Sequence, residues 1–273
     1  MSSNTEISVR QLQRLVGTPD APVLVDVRLP QDAAADPRRL PGALDRSHET
    51  LADWAPALAG RPVVVICQKG RKLSQGAAAL LRCAGIAAET LDGGFEAWRE
   101  AGGLLVTPAP HVRRDRIGRT LWVTRARPKV DRIACPWLIR RFVDTQAQFL
   151  FVDAAEVEGV AERFAATPFD IEGVFWSHRG ETCTFDTMLA EFALASPALE
   201  QMATIIRAAD TARLDLVPQA AGFLALSLGL SRMYRDDLQQ LEAGLLLYDA
   251  LYRWCRDAAE ETHNWPTPAR TAP

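Results

Sequence analysis

The sequence predicts an α/β domain with a mostly parallel sheet, followed by a second, mainly α-helical α+β domain. Two continuous β-branched runs, residues 23–27 and Val63–Ile66, are bounded by proline, which is typical of buried parallel strands. Segments of helical periodicity alternate with these runs, and this alternation indicates an α/β domain. A chain of 273 residues is also long enough for about two domains.

The elements of the first domain follow from their caps and periodicity. Ser8 is placed to cap a helix that ends at Gly17, and Ser74 to cap one that ends at Gly85. The remaining elements are a third strand over residues 87–91 and a short helix that carries Phe95 and Trp98. Because ligands bind at the carboxyl ends of parallel strands, the segment just after Ile66 is the first place to look for a site.

The second domain begins after a segment rich in proline and glycine. Leu121–Arg125 and residues 149–152 are predicted strands, and a helix is expected behind Thr184 as its cap. Further helices are predicted over residues 199–209, 220–230 and 238–255. We expect a first domain at 5–107, a linker at 108–120, a second domain at 121–265 and a disordered tail at 266–273.

Composition excludes several classes of protein. Hydrophobic residues make up 48% of the chain and charged residues 24%, values typical of a folded soluble protein. No apolar run reaches the ~18 residues of a membrane-spanning helix, and the first residues carry no secretory signal. The five cysteines include no CxxC pair, which favours a reduced compartment, and we expect a cytoplasmic protein that does not bind membranes.

The net charge of −3 conceals a basic segment at residues 113–129, with seven basic residues against one acidic residue. Such a segment can hold an oxyanion or a nucleic acid. The alternative is a solvated linker whose arginines pair with the acidic half that follows. We favour the linker, and we expect no nucleic acid, because the segment lacks the interleaved aromatic residues of a nucleic-acid site.

Cys67 directly follows the strand Val63–Ile66 and opens a loop over residues 67–72 that leads into a helix. Backbone N–H groups at a helix N-terminus bind anions, and the nearby cations Lys69, Arg71 and Lys72 favour a thiolate. Gly70 permits the tight turn that such a cradle needs. The pattern predicts an activated nucleophile in an anion-binding loop, whereas the alternative is a small buried residue at a strand end.

Four segments resemble the rhodanese homology domain in order and spacing: residues 24–28 (LVDVR), 40–43 (LPGA), 67–72 (CQKGRK) and 91–98 (LDGGFEAW). The match covers about residues 5–107. The resemblance implies a doubly wound α/β fold and transfer of sulfane sulfur without a cofactor. Thiosulfate or a persulfide would be the donor, and a thiol or cyanide the acceptor.

The resemblance also assigns roles to individual residues. Cys67 would be the catalytic residue that carries the sulfur as a persulfide, and Asp26 and Arg28 would support the loop. The substrate-binding residues would be those of the loop: Gln68, Lys69, Gly70, Arg71 and Lys72. Related phosphatases use a seven-residue loop that ends in arginine, and here the seventh residue is Leu73, so phosphatase chemistry is the weaker interpretation.

The second domain offers two further groups of candidates. Lys129, Asp131 and Arg132 precede Cys135, and Pro136 predicts a helix that begins near Ala134 or Cys135, where a thiolate is favoured. A buried cysteine beside Trp137 is the alternative. The candidate ligands of a zinc or iron ion are His178, Cys183, Asp186 and Glu242. A turn that leads into a capped helix explains much of this segment without a metal.

The second half resembles the C-terminal domain of the ChrB chromate-resistance proteins. The resemblance rests on residues 122–125 (WVTR), 127–142 (RPKVDRIACPWLIRRF), 183–187 (CTFDT), 228–231 (LGLS) and 241–252 (LEAGLLLYDALY). It implies a link to chromate resistance but no defined reaction. Together the halves predict a sulfurtransferase that acts in chromate or thiol-stress physiology, with chromate as a further anion for the loop and Cys135 as one acceptor of its sulfur. The alternative is a sensor of an oxyanion or metal, in which the first domain is a binding module.

Overall fold

The computed structural model describes residues 5–109 and 111–262. The tail predicted at 266–273, the end of the predicted second domain and Pro110 of the predicted linker lie outside the described residues. Within the described ranges, no helix combines the length and the hydropathy that crossing a bilayer requires.

The first half alternates strands with helices, as predicted. Its elements are β1 (Glu6–Ile7), α1 (Val9–Leu15), β2 (Val23–Asp26), α2 (Pro30–Ala35), β3 (Leu44–Asp45), α3 (Leu51–Trp54), β4 (Val63–Ile66), α4 (Lys72–Cys83), β5 (Ala88–Leu91) and α5 (Gly94–Glu100). Short 3₁₀ turns at His48–Thr50 and Ala55–Leu58 flank α3. Ser8 caps α1, accepting a hydrogen bond from the Gln11 N–H, as its sequence position predicts.

The five strands form one parallel sheet in the order β1-β5-β4-β2-β3. Alternate side chains of the central strands enter two separate cores. Val25 and Val65 pack with α4 on one face, whereas Leu24 and Val64 pack with α1 and α5 on the other. Because both faces are covered, the central strands read as unbroken apolar runs. The predicted doubly wound sheet is confirmed.

The second half is mainly helical around a small sheet. Its elements are β6 (Leu121–Arg125), α6 (Asp131–Leu138), β7 (Gln148–Val152), α7 (Val157–Phe164), β8 (Thr167–Pro168), α8 (Thr184–Glu191), α9 (Pro197–Asp210), α10 (Ala220–Met233) and α11 (Asp237–Arg253). A 3₁₀ turn at Ala154–Glu156 precedes α7, and π-helical turns at Ile139–Val143 and Trp254–Ala258 extend α6 and α11. The sheet is parallel, in the order β7-β6-β8.

Three helix starts differ from the sequence predictions. Helix α4 begins at Lys72, so Ser74 lies inside the first turn and its hydroxyl turns toward the loop instead of capping. Helix α8 begins at Thr184 and its cap is Cys183. Helix α6 begins at Asp131 because the turn before it supplies carbonyls to its first N–H groups, and Pro136 therefore falls in the second turn.

The two halves pack directly against each other. The Gly42 N–H donates to the Phe142 carbonyl at 2.6 Å, and the Thr107 N–H donates to the Phe192 carbonyl at 2.9 Å. Gly17, with φ +76°, lies so close to Phe142 that a Cβ there would stand 2.5 Å from the ring. The interface thus requires a residue without a side chain at this position.

Candidate functional site

Cys67 lies at the carboxyl end of β4, where the sequence placed it. The side chain is 5% exposed, and its Sγ accepts a hydrogen bond from the Arg71 N–H at 3.3 Å. The Ser74 hydroxyl lies 3.2 Å from the same sulfur and 3.2 Å from the Arg71 carbonyl. The Arg71 N–H thus donates to the sulfur and the Ser74 hydroxyl lies within hydrogen-bond distance of it, a setting that favours negative charge on the sulfur.

The loop is shaped by a close backbone approach from the turn before α5. Gly70 has φ +64°, and a Cβ on it would stand 2.6 Å from the Leu91 carbonyl oxygen and 2.7 Å from the Gly94 nitrogen. The Phe95 N–H donates to the Cys67 carbonyl at 3.0 Å. Two loops therefore meet without side chains between them, as the glycine in the sequence suggested.

The rim of the loop is cationic and open. Lys69, Arg71 and Lys72 are exposed, and none forms an ion pair with any residue in the described part of the chain. Gln68 is half-buried, and its amide donates to the Glu96 carboxylate at 3.2 Å. The cations are therefore available to an incoming anion, whereas Gln68 is held by its neighbour.

Asp26 and Arg28 brace the region beside the loop. Their side chains form a buried ion pair with an Nε–Oδ2 distance of 2.8 Å. The Arg28 guanidinium also donates to the carbonyls of Asp36 and Arg38 and lies 3.9 Å from the centre of the Phe95 ring. The Arg28 guanidinium is thus fixed by its hydrogen bonds and packs on Phe95, the second residue of α5. The ion pair therefore supports the start of this helix.

Ser74 is the residue of this site that the sequence analysis did not identify. The sequence predicts Ser74 as a helix cap, because a segment with the apolar periodicity of a helix follows it. Ser74 lies seven residues after Cys67, in the first turn of a helix that starts at the loop. This spacing could have indicated that its hydroxyl lies near the sulfur. That spacing returns the side chain to the sulfur, where it is fully buried.

A second polar group gathers at the carboxyl ends of the strands in the small sheet. The His178 Nε2 lies 3.3 Å from an oxygen of Asp170, 3.2 Å from one of Asp210 and 3.6 Å from one of Asp131. Asp131 opens α6, Asp170 follows β8, and Asp210 ends α9. We call these four residues the carboxylate–histidine cluster.

Hydrogen bonds fix the buried members of the cluster. The Asp131 carboxylate is fully buried and accepts from the Thr184 N–H at 2.6 Å and from the Phe185 N–H at 3.3 Å, at the N-terminus of α8. The Thr184 hydroxyl donates to Asp170 at 2.7 Å. Asp170 itself has φ +52°, a left-handed conformation that aspartate tolerates better than most residues.

The cluster shifts the titration of its members. A hydrogen bond with Asp170, opposed by desolvation and assisted by the other carboxylates, raises the pKa of His178 to about 9. Burial, followed by repulsion from Asp210 and Asp170, raises the pKa of Asp131 well above its ordinary value. Burial is also the first cause of a raised pKa at Asp210. Protons and cations are thus held strongly here.

Of the four predicted metal ligands, His178 joins this cluster, and two others have different partners. Asp186 forms an ion pair with Arg207 at 2.6 Å, and the largely exposed Glu242 forms one with Arg140 at 2.5 Å. Cys183 is buried as the cap of α8, and burial, followed by the charge of Asp131, raises the pKa of its thiol.

Cys135 does not lie at a helix N-terminus, the position for which the sequence analysis expected a thiolate. The residue lies in the middle of α6 and is fully buried, and burial, followed by the charge of Asp131, raises the pKa of its thiol well above the ordinary value. Burial and a raised pKa both disfavour Cys135 as an acceptor for sulfur from Cys67. Two further candidates of this segment are not buried with Cys135. Lys129 is exposed, and the Arg132 guanidinium lies 3.3 Å from Asp170.

Asp170 is the member of the cluster that the sequence analysis missed. Asp170 follows β8, which has only two residues and ends in Pro168. Because proline disfavours a strand, the sequence does not predict β8. A carboxylate just beyond a parallel strand was the available signal, because such strand ends carry ligands.

The parallel sheet and the cysteine loop define the class of rhodanese-like proteins. The family model of the rhodanese-like domain matches residues 8–101, and that of the ChrB C-terminal domain matches residues 122–255. The chain therefore belongs to the rhodanese-like family through its first half and carries a ChrB C-terminal domain in its second half.

The similar proteins of known name include a ChrB protein and two thiosulfate sulfurtransferases. Protein ChrB of Cupriavidus metallidurans is 36% identical over 133 residues, which cover 48% of this chain and only 39% of that protein. The thiosulfate sulfurtransferase GlpE of Pseudomonas syringae is 40% identical over 79 residues, 28% of this chain and 72% of that protein. GlpE of Tolumonas auensis is 35% identical over 101 residues, 36% of this chain and 92% of that protein.

Two solved structures each align with about a third of the chain. A Rhodopseudomonas palustris protein of unknown function, described as a possible tyrosine phosphatase, is 26% identical, with a TM-score of 0.33. The alignment covers 37% of this chain and 83% of that one. A rhodanese-related protein from Thermoplasma volcanium is 22% identical, with a TM-score of 0.33 and coverage of 37% and 96%.

Proposed function

We propose that the protein is a sulfurtransferase that carries sulfane sulfur as a persulfide on Cys67. The observation that carries the proposal is the setting of the Cys67 sulfur, which faces the Arg71 N–H inside a loop with three exposed cations that form no ion pair within the described residues. The N–H stabilises a thiolate or persulfide, and the cations attract an anionic donor.

The reaction proceeds in two displacements. The Cys67 thiolate attacks the outer sulfur of thiosulfate, the sulfur–sulfur bond of the donor breaks, and sulfite leaves with the electron pair. A nucleophilic acceptor, a thiolate or cyanide, then takes the outer sulfur of the Cys67 persulfide and restores the thiolate. A low-molecular-weight persulfide can replace thiosulfate, with its thiolate as the leaving group, and no cofactor takes part.

The second half connects this activity to chromate resistance. Similarity to a ChrB C-terminal domain supports a role in cytoplasmic chromate or thiol stress. Chromate and thiosulfate are both tetrahedral dianions, so the same cationic loop suits either. A phosphatase is disfavoured, because the residue after Lys72 is Leu73 and not the arginine that encloses a phosphate.

Intact mass spectrometry tests the sulfurtransferase. The wild-type protein, Cys67→Ser and Cys83→Ser are treated with thiosulfate and then with cyanide, with no other reductant present. Cys83 is the matched control because it is an exposed cysteine outside the loop. We expect one sulfur atom to be added to the wild type and to Cys83→Ser, and to be removed by cyanide.

The same experiment can contradict the proposal. If Cys67→Ser gains sulfur as the wild type does, the carrier is another cysteine. If neither thiosulfate nor glutathione persulfide adds sulfur to a protein whose Cys67 still reacts with iodoacetamide, the sulfurtransferase assignment fails. Both results come from the full chain, so they do not depend on whether either half folds alone.

A sensor is the second candidate function, and the carboxylate–histidine cluster favours it. In this alternative the second half binds a metal ion or an oxyanion, and the first half serves as a binding module. Chromate tolerance in cells that carry Cys67→Ser separates the two functions: retained tolerance favours the sensor, and lost tolerance favours sulfur transfer. Chromate binding to the purified full chain gives the corresponding direct measurement.

A further inference from the structure

We propose that Asp131, Asp170, His178 and Asp210 bind one divalent metal ion of the first transition row, with three carboxylate oxygens and one imidazole nitrogen as ligands. The proposal concerns the second half alone and goes beyond the proposed sulfur transfer. Among the ligands predicted from sequence, only His178 belongs to this set.

The spacing of the ligand atoms suits a single ion. One ligand atom from each of Asp131, Asp170 and His178 falls within a group no wider than 4.8 Å. The imidazole nitrogen is 3.2–3.6 Å from an oxygen of each of the three carboxylates. Two atoms that bind one ion at about 2.1 Å stand roughly 3.0–3.5 Å apart. Asp131, Asp170 and His178 are therefore spaced to share one ion, and Asp210 offers a fourth ligand through its oxygen 3.2 Å from the imidazole nitrogen.

Charge in the cluster is incompletely balanced by protein groups. Three carboxylates meet here, and the cations beside them are His178 and Arg132, whose guanidinium lies 3.3 Å from Asp170. Asp131 is fully buried, and buried charges in proteins are paired or coordinate metals. A divalent cation would place positive charge among the three carboxylate groups.

An independent observation comes from Thr124, the penultimate residue of β6. Trp122 and Thr124 share one face of the strand, and Trp122 belongs to the same hydrophobic core as the α6 residue Ile133 and the α8 residue Phe185. The Thr124 hydroxyl is fully buried and finds no hydrogen-bond partner among the described residues. A buried polar group without a partner calls for an explanation, and a polar ligand bound next to the core that this face of β6 joins would supply one.

An ion can reach the cluster from solvent. Asp170 and His178 line an open cleft of about 730 Å³, together with the acidic residues Glu158 and Glu172. The side chain of His178 is 40% exposed, whereas that of Asp131 is fully buried. The cleft therefore provides an entry path, its carboxylates outnumber the one arginine that also lines it, Arg125, and the buried Asp131 carboxylate closes the inner side of the site.

The donor set selects the class of ion. Carboxylate oxygens suit Mg²⁺, Ca²⁺ and Mn²⁺, whereas imidazole suits zinc, iron and other transition metals. Three oxygens with one nitrogen favour an ion between these groups, such as Mn²⁺, Fe²⁺ or Zn²⁺. Mn²⁺ is the probe of choice because it is paramagnetic and stable in air at neutral pH.

Titration of the full-length protein with Mn²⁺ tests the proposal. The protein is stripped with a chelator and then titrated, and bound Mn²⁺ is measured by calorimetry and electron paramagnetic resonance. We expect one ion per chain. Since loss of even an outer-shell partner costs 10–100-fold in affinity, we expect His178→Ala and Asp210→Asn to weaken binding by about 100-fold or more.

Matched variants separate this site from its surroundings. Glu242→Gln removes an exposed carboxylate outside the cluster and is expected to bind Mn²⁺ as the wild type does. Cys67→Ser is also expected to bind normally, so the metal site and the sulfurtransferase can fail independently. In the wild type, bound Mn²⁺ should show magnetic coupling to an imidazole nitrogen, and His178→Ala should abolish it.

Three results would overturn the proposal. The first is the absence of stoichiometric binding of both Mn²⁺ and Zn²⁺ to the stripped wild type. The second is unchanged affinity in His178→Ala and Asp210→Asn, with circular dichroism showing that both are folded. The third is bound Mn²⁺ in the wild type without nitrogen coupling, a result that does not depend on how any variant folds.

Discussion

At the scale of single residues, the neighbours of Cys67 decide how reactive its sulfur is. The sulfur is enclosed, and its two nearest polar groups are the Arg71 N–H and the Ser74 hydroxyl. The backbone group cannot be removed by substitution. Ser74 can, and its side chain contacts only the sulfur and a carbonyl of the same loop among its hydrogen-bond partners in the described structure.

We predict that Ser74→Ala slows alkylation of Cys67 at neutral pH. Loss of a hydrogen bond to a thiolate costs about 1.4 kcal/mol, which corresponds to about tenfold in the population of the reactive form. The rate constant with iodoacetamide at pH 7 measures the effect. At a pH high enough to ionise the thiol fully, the two rates should converge; a deficit that persists there would indicate a distorted loop instead.

His178 makes stability depend on pH in the metal-free protein. Its pKa is raised from 6.5 to about 9 in the folded chain, so the protonated imidazole stabilises the fold. This contribution is complete below about pH 6.5 and is lost as the pH rises through about 9. We predict that the free energy of unfolding falls over this range.

Chemical denaturation in the presence of a chelator measures this dependence. His178→Gln should fall less steeply than the wild type between pH 6.5 and 9, whereas His48→Gln, at a histidine outside the cluster, should follow the wild type. Parallel profiles for the wild type and His178→Gln would show that the histidine is not paired with the carboxylates in solution.

At the scale of elements, the cysteine loop depends on its contact with the turn before α5. Gly70→Ala introduces a Cβ that would stand 2.6 Å from a backbone oxygen, in addition to left-handed strain. Gly102→Ala, at φ +68° with no atom within 4 Å of the new Cβ, introduces the strain alone. The pair therefore separates backbone strain from displacement of the loop.

We predict that Gly102→Ala costs about 1 kcal/mol of stability and leaves sulfur loading intact. Gly70→Ala should cost more and should abolish loading of Cys67 by thiosulfate, because the two loops must separate to admit the methyl group. Denaturant unfolding and intact mass measure the two effects. Normal loading in Gly70→Ala would show that the close approach is not needed for the chemistry.

The sequence predicts elements well where one local signal dominates. Continuous β-branched residues identify β4, and a serine cap identifies the start of α1. The two-residue strands β1 and β3 carry no such pattern, because sheet neighbours that are distant in sequence create them. His178 and Asp131 were candidates from sequence, but their grouping with Asp170 and Asp210 could not be predicted, since the four residues come from separate segments.

At the scale of the whole molecule, Gly17 lies in the interface between the two halves, where the space beside its Cα is too small for a side chain. Its closest neighbours across the interface are the rings of Phe142 and Tyr252. Gly60 has the same φ of +76°, but a Cβ added there would meet no atom within 4 Å, which makes it the matched control. Comparison of the two positions isolates the cost of interface crowding.

We predict that Gly17→Ala lowers the free energy of unfolding by about 1–3 kcal/mol more than Gly60→Ala does. The excess arises because two buried aromatic rings must shift to admit the methyl group. Thermal and denaturant unfolding of both variants measure it. Equal losses would show that only backbone strain matters and that the two halves do not pack tightly here.

The parallel strand order has a consequence for synthesis on the ribosome. Edge strand β1 pairs with β5, so Glu6 finds its partner Thr90 only after most of the first half has been made. At about 5–20 residues per second, the N-terminal strand waits roughly 4–17 s after leaving the exit tunnel. During translation β1 therefore stays unpaired, and the side chain of Ile7, buried in the finished fold, remains without its sheet neighbour until β5 has emerged.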